Sequence, residues 1–327
     1  MSWMMGQLGL AVESLEPRVL LSTYPGIPDD LLTAGGYQIP DGHNGICTTI
    51  DQLCQTYAPV MKLNAGGNIP GDDAERYHPK PVDLITAPRP AGESGNWPKV
   101  YQAIRAGDYV AWNPIATITN IAQVGAYGAG CGDYFIDLPG TNIYQINAFY
   151  DQIKDSTPDT VYATVFADPA THLLVLKYHF YYYGNDFWDE HESDWEAATL
   201  LFDQSGPYRA RYNRHDTYSE RGWNDVETMG QTHPVIYVGE GGHASYFEAG
   251  HSQVNYLATE FHYGDGEILC PGPAWSSGYL VQVLPNDRTA DLSNIGGKNL
   301  NWLKFEGRWG QLALPSILPV GNDGPGG

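Results

Sequence analysis

The segment VYATVF at Val161–Phe166, the turn DPAT at Asp168–Thr171 and the segment LLVLKYHFYYY at Leu173–Tyr183 decide the predicted fold. β-Branched and aromatic residues favour strands, and two such segments joined by a short Asp-Pro turn are typical of a hairpin. Further strand-like segments follow at 194–202, 209–213, 235–238, 244–247 and 279–284. With few long helices between them, the sequence predicts a mainly β fold, an antiparallel β-sandwich with a few short helices and long loops.

Helices are expected at only a few places. Apolar spacing predicts a short helix from Ile50 to Tyr57, ahead of Pro59, and a second helix at Ile143–Ile153. The segment Val100–Ile104 is expected to form a helical turn.

The composition excludes several classes of protein. Of the 327 residues, 42% are hydrophobic and only 17% are charged, which argues against a disordered acidic chain. The net charge of −21 argues against a nucleic-acid-binding protein, because neutralising phosphates requires a basic face. No apolar run approaches the roughly 18 residues of a membrane-spanning helix.

Four cysteines leave the redox state open. Cys47 and Cys54 can close a short loop as a disulfide in an oxidising compartment, whereas Cys131 and Cys270 can pair or stay free. No CxxC motif is present, which argues against a zinc ribbon or a thioredoxin-type site.

The amino terminus contains SLEPRVLLS at Ser14–Ser22. It resembles the LEPR-x-L-L element near the start of many exported or surface proteins of bacteria such as planctomycetes. The resemblance implies that residues 1–25 are an export or sorting segment and that the protein is extracellular or on the cell surface. We expect residues 26–327 to form a single β-sandwich domain.

The block NDFWDEHESDWE at Asn185–Glu196 carries the most chemistry. Side chains alternate between the faces of a strand, so Asp194 and Glu196 share one face and Trp195 points to the other. Two carboxylates on one face repel each other unless a cation or a proton lies between them. We expect His191 to lie on the turn just before this strand, where it can fold over the same site, and Asp186 to add further oxygens.

A divalent-ion site at His191, Asp194, Glu196 and Asp186 follows as a hypothesis. Oxygen ligands favour calcium or magnesium, and an imidazole also permits manganese or zinc. A solvated acidic loop is the alternative. Trp188 and Trp195 are expected to line the ligand site, together with His215 and with His243, which follows glycines in GEGGHASYF at 239–247.

Several segments together resemble the vacuolar-sorting-protein-62-related family. They are Tyr57–Val60, Glu75–Pro79, Leu176–Tyr182, His191–Glu196, His215, His233–Val238, Gly242–Phe247, Asn301–Trp302 and Gly307–Gly310, in the family's order from about residue 55 to the end of the chain. Three positions depart from the family pattern: His179 replaces a tryptophan, Ser193 a glycine and Gly242 a serine.

That family suggests a more distant likeness to the necrosis-inducing toxins of plant pathogens, which share an H-x-x-D-x-E pattern on a β-sandwich. The likeness implies that His191, Asp194 and Glu196, with Asp186 as the upstream aspartate, hold a divalent ion that recognises sphingolipid sugars. Fold likeness alone does not transfer function.

Three functions remain open. The first is a secreted or surface protein that uses a divalent cation to bind a sugar or a lipid headgroup. The second is a metal-dependent hydrolase in which Glu192 or His243 acts as the base. The third is a surface or interaction module whose ion is only structural.

Overall fold

The computed structural model describes residues 23–88, 97–106, 109–127, 134–188, 190–215, 217–272, 278–310, 322–323 and 325. The export element predicted at 14–22 and Cys131 lie outside these residues. Cys47, Cys54 and Cys270 are buried free thiols. No helix in the described ranges is long and apolar enough to cross a membrane.

Strands dominate the described chain. They are β1 (Val60–Lys62), β2 (Lys99–Ala106), β3 (Tyr109–Thr117), β4 (Tyr134–Asp137), β5 (Thr160–Ala167), β6 (Leu174–Asn185), β7 (His191–Asp203), β8 (Gly206–Arg214), β9 (Thr217–Gly222), β10 (Thr228–Met229), β11 (His233–Val238), β12 (Ser245–Tyr246), β13 (His251–Gln253), β14 (Thr259–Phe261), β15 (Ile268–Pro271), β16 (Gly278–Val283), β17 (Arg308–Trp309) and β18 (Asn322–Asp323).

The helices are short. The α-helices are α1 (Leu31–Ala34), α2 (Ile50–Thr56) and α3 (Ile143–Ile153), and the 3₁₀ turns are Val82–Thr86, Ile121–Tyr127, Lys154–Ser156, Trp223–Asp225 and Asn301–Lys304. The predicted mainly β class is therefore confirmed, and the predicted helices at 50–57 and 143–153 correspond to α2 and α3. Thr49 and Asn142 cap these two helices by accepting the backbone N–H of Gln52 and Gln145, respectively.

The described strands form one large sheet and two smaller ones. The large sheet has the order β10-β11-β1-β15-β16-β5-β6-β7-β8-β9, with β12 paired to β11. Its run from β5 to β9 is antiparallel, and the predicted hairpin places Tyr162 of β5 opposite His179 of β6. The pairs β1–β11, β15–β16 and β16–β5 are parallel, so the sheet as a whole is mixed. The smaller sheets are β18-β17-β4-β2-β3 and β13-β14.

Two local predictions were wrong. His191 is the first residue of β7, not part of the preceding turn, because the ladder with β6 extends to the pair Asn185–His191. The segment Val100–Ile104 lies in β2, not in a helical turn. Backbone pairing with β3 on one side and β4 on the other overrides its weak local preference.

Strands β6 and β7 are buried along nearly their whole length and present two different faces. Trp195 packs on one face against Trp302 and Trp309, with ring centroids 6.1 and 5.6 Å away. Trp309 belongs to β17, so this aromatic cluster joins the large sheet to the five-stranded one. Asp194 points to the opposite face, as strand alternation predicts, and there it meets His243.

Candidate functional site

A glycine-containing loop at 239–243, between β11 and β12, turns His243 into the interior. His243 N–H donates to the carbonyl of Gly239 at 3.0 Å, and its φ of 53° lies in the left-handed region. Gly241 has a φ of 62°, and a Cβ on it would lie 2.8 Å from Asp186 Oδ1. The close approach of this loop to Asp186 therefore requires glycine at 241.

The imidazole of His243 lies between two buried carboxylates. Its Nδ1 is 2.9 Å from Asp194 Oδ2, and its Nε2 is 3.3 Å from Glu75 Oε1, an ion-pair contact outside good hydrogen-bond geometry. Burial alone would lower the pKa of His243, but the charges of Glu75 and Asp194 outweigh it and raise this pKa to about 10. His243 is therefore an imidazolium at neutral pH, with a proton on each ring nitrogen.

Neighbouring groups fix this ion pair. Glu75 accepts the backbone N–H of Tyr77 at 2.7 Å and that of Gly241 at 2.8 Å. Tyr182 stacks on the imidazolium with ring centroids 3.9 Å apart and planes 7° from parallel. The ring face of a tyrosine attracts a cation, so Tyr182 stabilises the charged form of His243.

Two further glutamates make the centre strongly acidic. Glu196 is 7% exposed, and burial raises its pKa well above the usual range, with a further increase from the charges of Asp194 and Glu260. Glu260 accepts the hydroxyl of Tyr246 and lies 3.4 Å from His215 Nε2 through its Oε2 atom. We call Glu75, Asp194, Glu196, Glu260 and His243 the acidic centre.

Glycines make room for Glu260. A Cβ at Gly242 would lie 2.4 Å from Glu260 Oε1, and one at Gly239 would lie 2.4 Å from Glu260 Cδ. Glu260 Oε1 itself is buried and has no hydrogen-bond partner within the described part of the chain. The acidic centre thus contains an acceptor that no described donor satisfies.

The acidic centre approaches the surface at Asp186, in the connection between β6 and β7. Asp186 Oδ2 accepts the amide of Asn147 at 3.2 Å, lies 3.6 Å from Arg76 Nε and belongs to a side chain that is 25% exposed. Burial and the charge of Glu75 raise the pKa of Asp186, and burial and the charge of Asp186 raise that of Glu190. Trp188, between these two acids in sequence, is 53% exposed. We call Asp186, Trp188 and Glu190 the acidic mouth.

The structure brings together only part of the predicted site. Asp186, Asp194, Glu196 and His243 interact electrostatically, and His215 reaches the same centre through Glu260. His191 instead places its Nδ1 3.2 and 3.1 Å from the carbonyl oxygens of Glu192 and Ser193. Trp195 lies in the aromatic cluster on the other face of β7.

Both candidate bases are buried. Glu192 is 3% exposed and accepts the backbone N–H of Leu138 at 2.8 Å. His243 is fully buried and already protonated at neutral pH, so it acts as a counter-charge for carboxylates and has no lone pair with which to accept a proton. Neither arrangement supports base catalysis.

The predicted metal ligands do not form a ready-made cradle. Among the residues that the structure describes, no three His, Cys, Asp or Glu side chains are placed to hold a metal ion. His243 occupies one oxygen of Asp194, and His191 Nδ1 faces backbone carbonyls. These residues therefore do not fit a divalent ion in this geometry, and the ion stays a prediction.

Sequence reasoning missed three members of this environment. Glu75 belongs to the segment Glu75–Pro79 that carries part of the family resemblance, but no role was predicted for it. An acidic residue just before Tyr77-His78-Pro79 was a signal that could have been used. Glu260 gave no signal, because its neighbours across the site are distant in sequence. Tyr182 lies opposite Asp194 in the β6–β7 ladder but meets His243 only through the loop at 239–243. Only the three-dimensional pairing brings Glu260 to His215 and Tyr246.

No protein-family model matches the chain, and no curated protein matches it. The resemblance to the vacuolar-sorting-protein-62-related family thus stays a prediction. Among solved structures, the chain shows a weak likeness to "Toxin fold for microbial attack and plant defense" (13% identity, TM-score 0.24, covering 39% of this chain and 52% of that one). Necrosis and Ethylene inducing Protein 2 from the causal agent of cocoa's witches' broom disease gives 13% identity, a TM-score of 0.25 and the same two coverages.

A third structure, NLPPya in complex with glucosamine, is 14% identical with a TM-score of 0.26, over 45% of this chain and 62% of that one. The chain thus spans between half and two thirds of the length of these proteins. TM-scores of this size establish neither a common fold for the whole chain nor a common activity.

Proposed function

We propose that the protein is a secreted or surface protein that binds a donor-rich polar ligand, a sugar or a lipid headgroup, at the acidic mouth. The observation that carries the proposal is the excess of buried acidic side chains over buried basic ones. Glu75, Asp194, Glu196 and Glu260 surround a single fully buried cation, His243.

A carboxylate accepts hydrogen bonds and donates none once it is ionised. A ligand that fits this mouth must therefore supply donors, such as sugar hydroxyls, an ammonium group or both. Asp186 supplies a partly exposed acceptor, and the neighbouring Trp188 supplies an exposed aromatic face for the apolar side of a sugar ring or for a quaternary ammonium. The buried ion pair behind Asp186 holds this surface in place.

Equilibrium binding to a panel of probes tests the proposal. The panel contains neutral hexoses, an amino sugar, and vesicles of phosphatidylcholine or phosphatidylethanolamine. We expect saturable binding to a probe, weakened about tenfold or more in Trp188→Ala, since loss of an aromatic anchor costs about 1.4 kcal/mol or more. Tyr144→Ala is the matched control, because Tyr144 is an 80% exposed aromatic on α3.

Asp186→Asn separates the charge from the shape of the mouth. It keeps an acceptor at the same position but removes the negative charge, so it should weaken an ammonium-bearing probe more than a neutral hexose. Absence of saturable binding to every probe by the folded parent, or equal weakening by Trp188→Ala and Tyr144→Ala, would refute the proposal. Metal analysis of the purified protein, with binding repeated in chelator, tests the predicted divalent ion separately.

A further inference from the structure

A second cavity is lined in part by Tyr246, whose hydroxyl donates to Glu260, and its lining has a different charge. It has a volume of about 430 Å³ and is lined by residues from the β8–β9 hairpin, the loop after β12, and β13. Its lining includes Arg214, Arg221, Ser219, Ser252, His251 and His262. Donor groups therefore surround this cavity, whereas acceptors surround the acidic mouth.

The β8–β9 hairpin concentrates positive charge in an acidic protein. Residues 209–221 contain four of the chain's ten arginines against two acids, in a chain with a net charge of −21. The two carboxylates that line the cavity are already paired. Glu220 contacts Arg209 and Arg211, and Glu248 lies 2.9 Å from Arg221.

Arg214 is the one arginine of residues 209–221 that takes part in none of these ion pairs. Its Nε atom is buried and has no hydrogen-bond partner among the described residues, and no described carboxylate forms an ion pair with it. Its guanidinium carbon lies 5.7 Å from the ring centre of Tyr246, which orients the side chain along the cavity wall. A guanidinium stays charged at all ordinary pH values, so an unpaired buried N–H on it calls for an anionic partner.

His262 belongs to the same cavity lining as Arg214 and is held by two hydrogen bonds. His262 is 4% exposed; its Nδ1 lies 2.9 Å from the Glu248 carbonyl, and its Nε2 lies 3.3 Å from Ser252 Oγ. A carbonyl only accepts, so Nδ1 of His262 donates. Burial lowers the pKa of His262, and the charges of His251 and Arg214 lower it further.

We propose that this cavity is a binding site for a phosphate group, carried by a sugar phosphate or by a phospholipid headgroup. The guanidinium fork of Arg214 would contact two phosphate oxygens, and Ser219 is a further hydroxyl donor in the cavity lining. The cavity is large enough for the group that carries the phosphate. This site is separate from the acidic mouth and does not rest on the proposed function.

Titration calorimetry of the full chain with inorganic phosphate and a hexose phosphate, and co-sedimentation with phosphatidylcholine vesicles with and without phosphatidic acid, test the proposal. We expect saturable binding of at least one probe, weakened about tenfold or more in Arg214→Gln. Arg209→Gln is the matched control, because it removes the same charge from the same strand but from a residue outside the cavity lining. Arg214→Lys should recover only part of the affinity, since it restores the charge without the fork.

The soluble probes and the vesicle probes together also identify which kind of molecule carries the phosphate. Binding to the soluble phosphates assigns a free ligand, and binding only to vesicles that contain phosphatidic acid assigns a lipid; both support the site. Ser219→Ala gives a second test if Arg214→Gln does not fold, and it should weaken the same probe. The inference is overturned if the folded parent binds none of the probes, or if Arg214→Gln and Arg209→Gln weaken binding equally.

Discussion

His243 Nδ1 lies 2.9 Å from Asp194 Oδ2, and both side chains are buried. The pair joins residues 49 positions apart and connects the loop before β12 to the first part of β7. Because Glu75 approaches the other ring nitrogen, one imidazolium serves two carboxylates from two further parts of the chain. The acidic centre is therefore a structural junction, and it reaches the mouth through Glu75, whose charge, together with burial, raises the pKa of Asp186.

Replacing His243 should be strongly destabilising. His243→Gln removes the only fully buried positive charge described at this centre and leaves Glu75 and Asp194 without it, at a cost of about 3–5 kcal/mol in unfolding free energy. Urea unfolding at pH 7 measures the loss. His172→Gln is the control, since His172 is exposed and has a similar left-handed φ of 57°. A difference between the two variants of less than about 1 kcal/mol would mean that the ion pair contributes little.

The stability conferred by His243 should fall as the pH rises. Its pKa is about 10 in the folded protein and about 6.5 in the unfolded chain. The proton therefore stabilises the fold fully below pH 6.5, and this contribution disappears as the pH rises through 10. Unfolding free energies of the parent and of His243→Gln at pH 6, 7.5 and 9 measure it. The parent's advantage should shrink across this series, and an advantage that grows with pH contradicts the assignment.

Glu240 should destabilise the protein at alkaline pH. Burial raises its pKa to about 8, with a further increase from Asp72, and its carboxylate accepts the N–H of Asp73 at 2.8 Å. The raised pKa contributes stability below the unfolded value near 4.3, and this contribution is lost as the pH rises through 8. Glu240→Gln keeps the acceptor without the charge. It should be more stable than the parent by about 1 kcal/mol at pH 9, a figure reduced for solvent screening, and equal to it at pH 4.

A methyl group at residue 242 should disturb Glu260. Gly242→Ala places a Cβ 2.4 Å from Glu260 Oε1, and overpacking of this kind costs about 1–3 kcal/mol. Gly222→Ala is the matched control, since its nearest described atom would be 3.7 Å away. Thermal unfolding of both variants measures the difference. Equal melting temperatures would show that Glu260 moves aside without cost.

Local patterns predicted most of the framework. The β5–β6 hairpin, α2, α3 and the opposite faces of Asp194 and Trp195 all follow from strand alternation, helix spacing and turn residues, which are properties of adjacent positions. The start of β7 could not be predicted in this way. His191 is in the strand because Asn185 pairs with it across the sheet, and the charged sequence around it gives no strand signal.

Of the groups that interact in the acidic centre, the sequence indicated a need for a partner only for the carboxylates of Asp194 and Glu196. It indicated that Asp194 and Glu196 needed a cation or a proton between them. The structure places His243, and not the predicted His191, beside Asp194, and the metal ion stays a prediction. Glu75 and Glu260 reach the centre from segments far from β7 in sequence, and no spacing rule connects them. Opposite charges at such separations meet only through the sheet order, which depends on the whole chain.

The protonation state of His243 tests the central claim most directly. Nitrogen-15 NMR of the imidazole rings, with His243→Gln to assign the signal, reports whether one or both ring nitrogens carry a proton. Between pH 7 and 8 we expect His243 to show two protonated nitrogens and to titrate with a pKa about 3 units above that of an exposed histidine. A neutral His243 ring at pH 7, titrating at or below the ordinary histidine pKa, would contradict the buried ion pair on which the acidic centre depends.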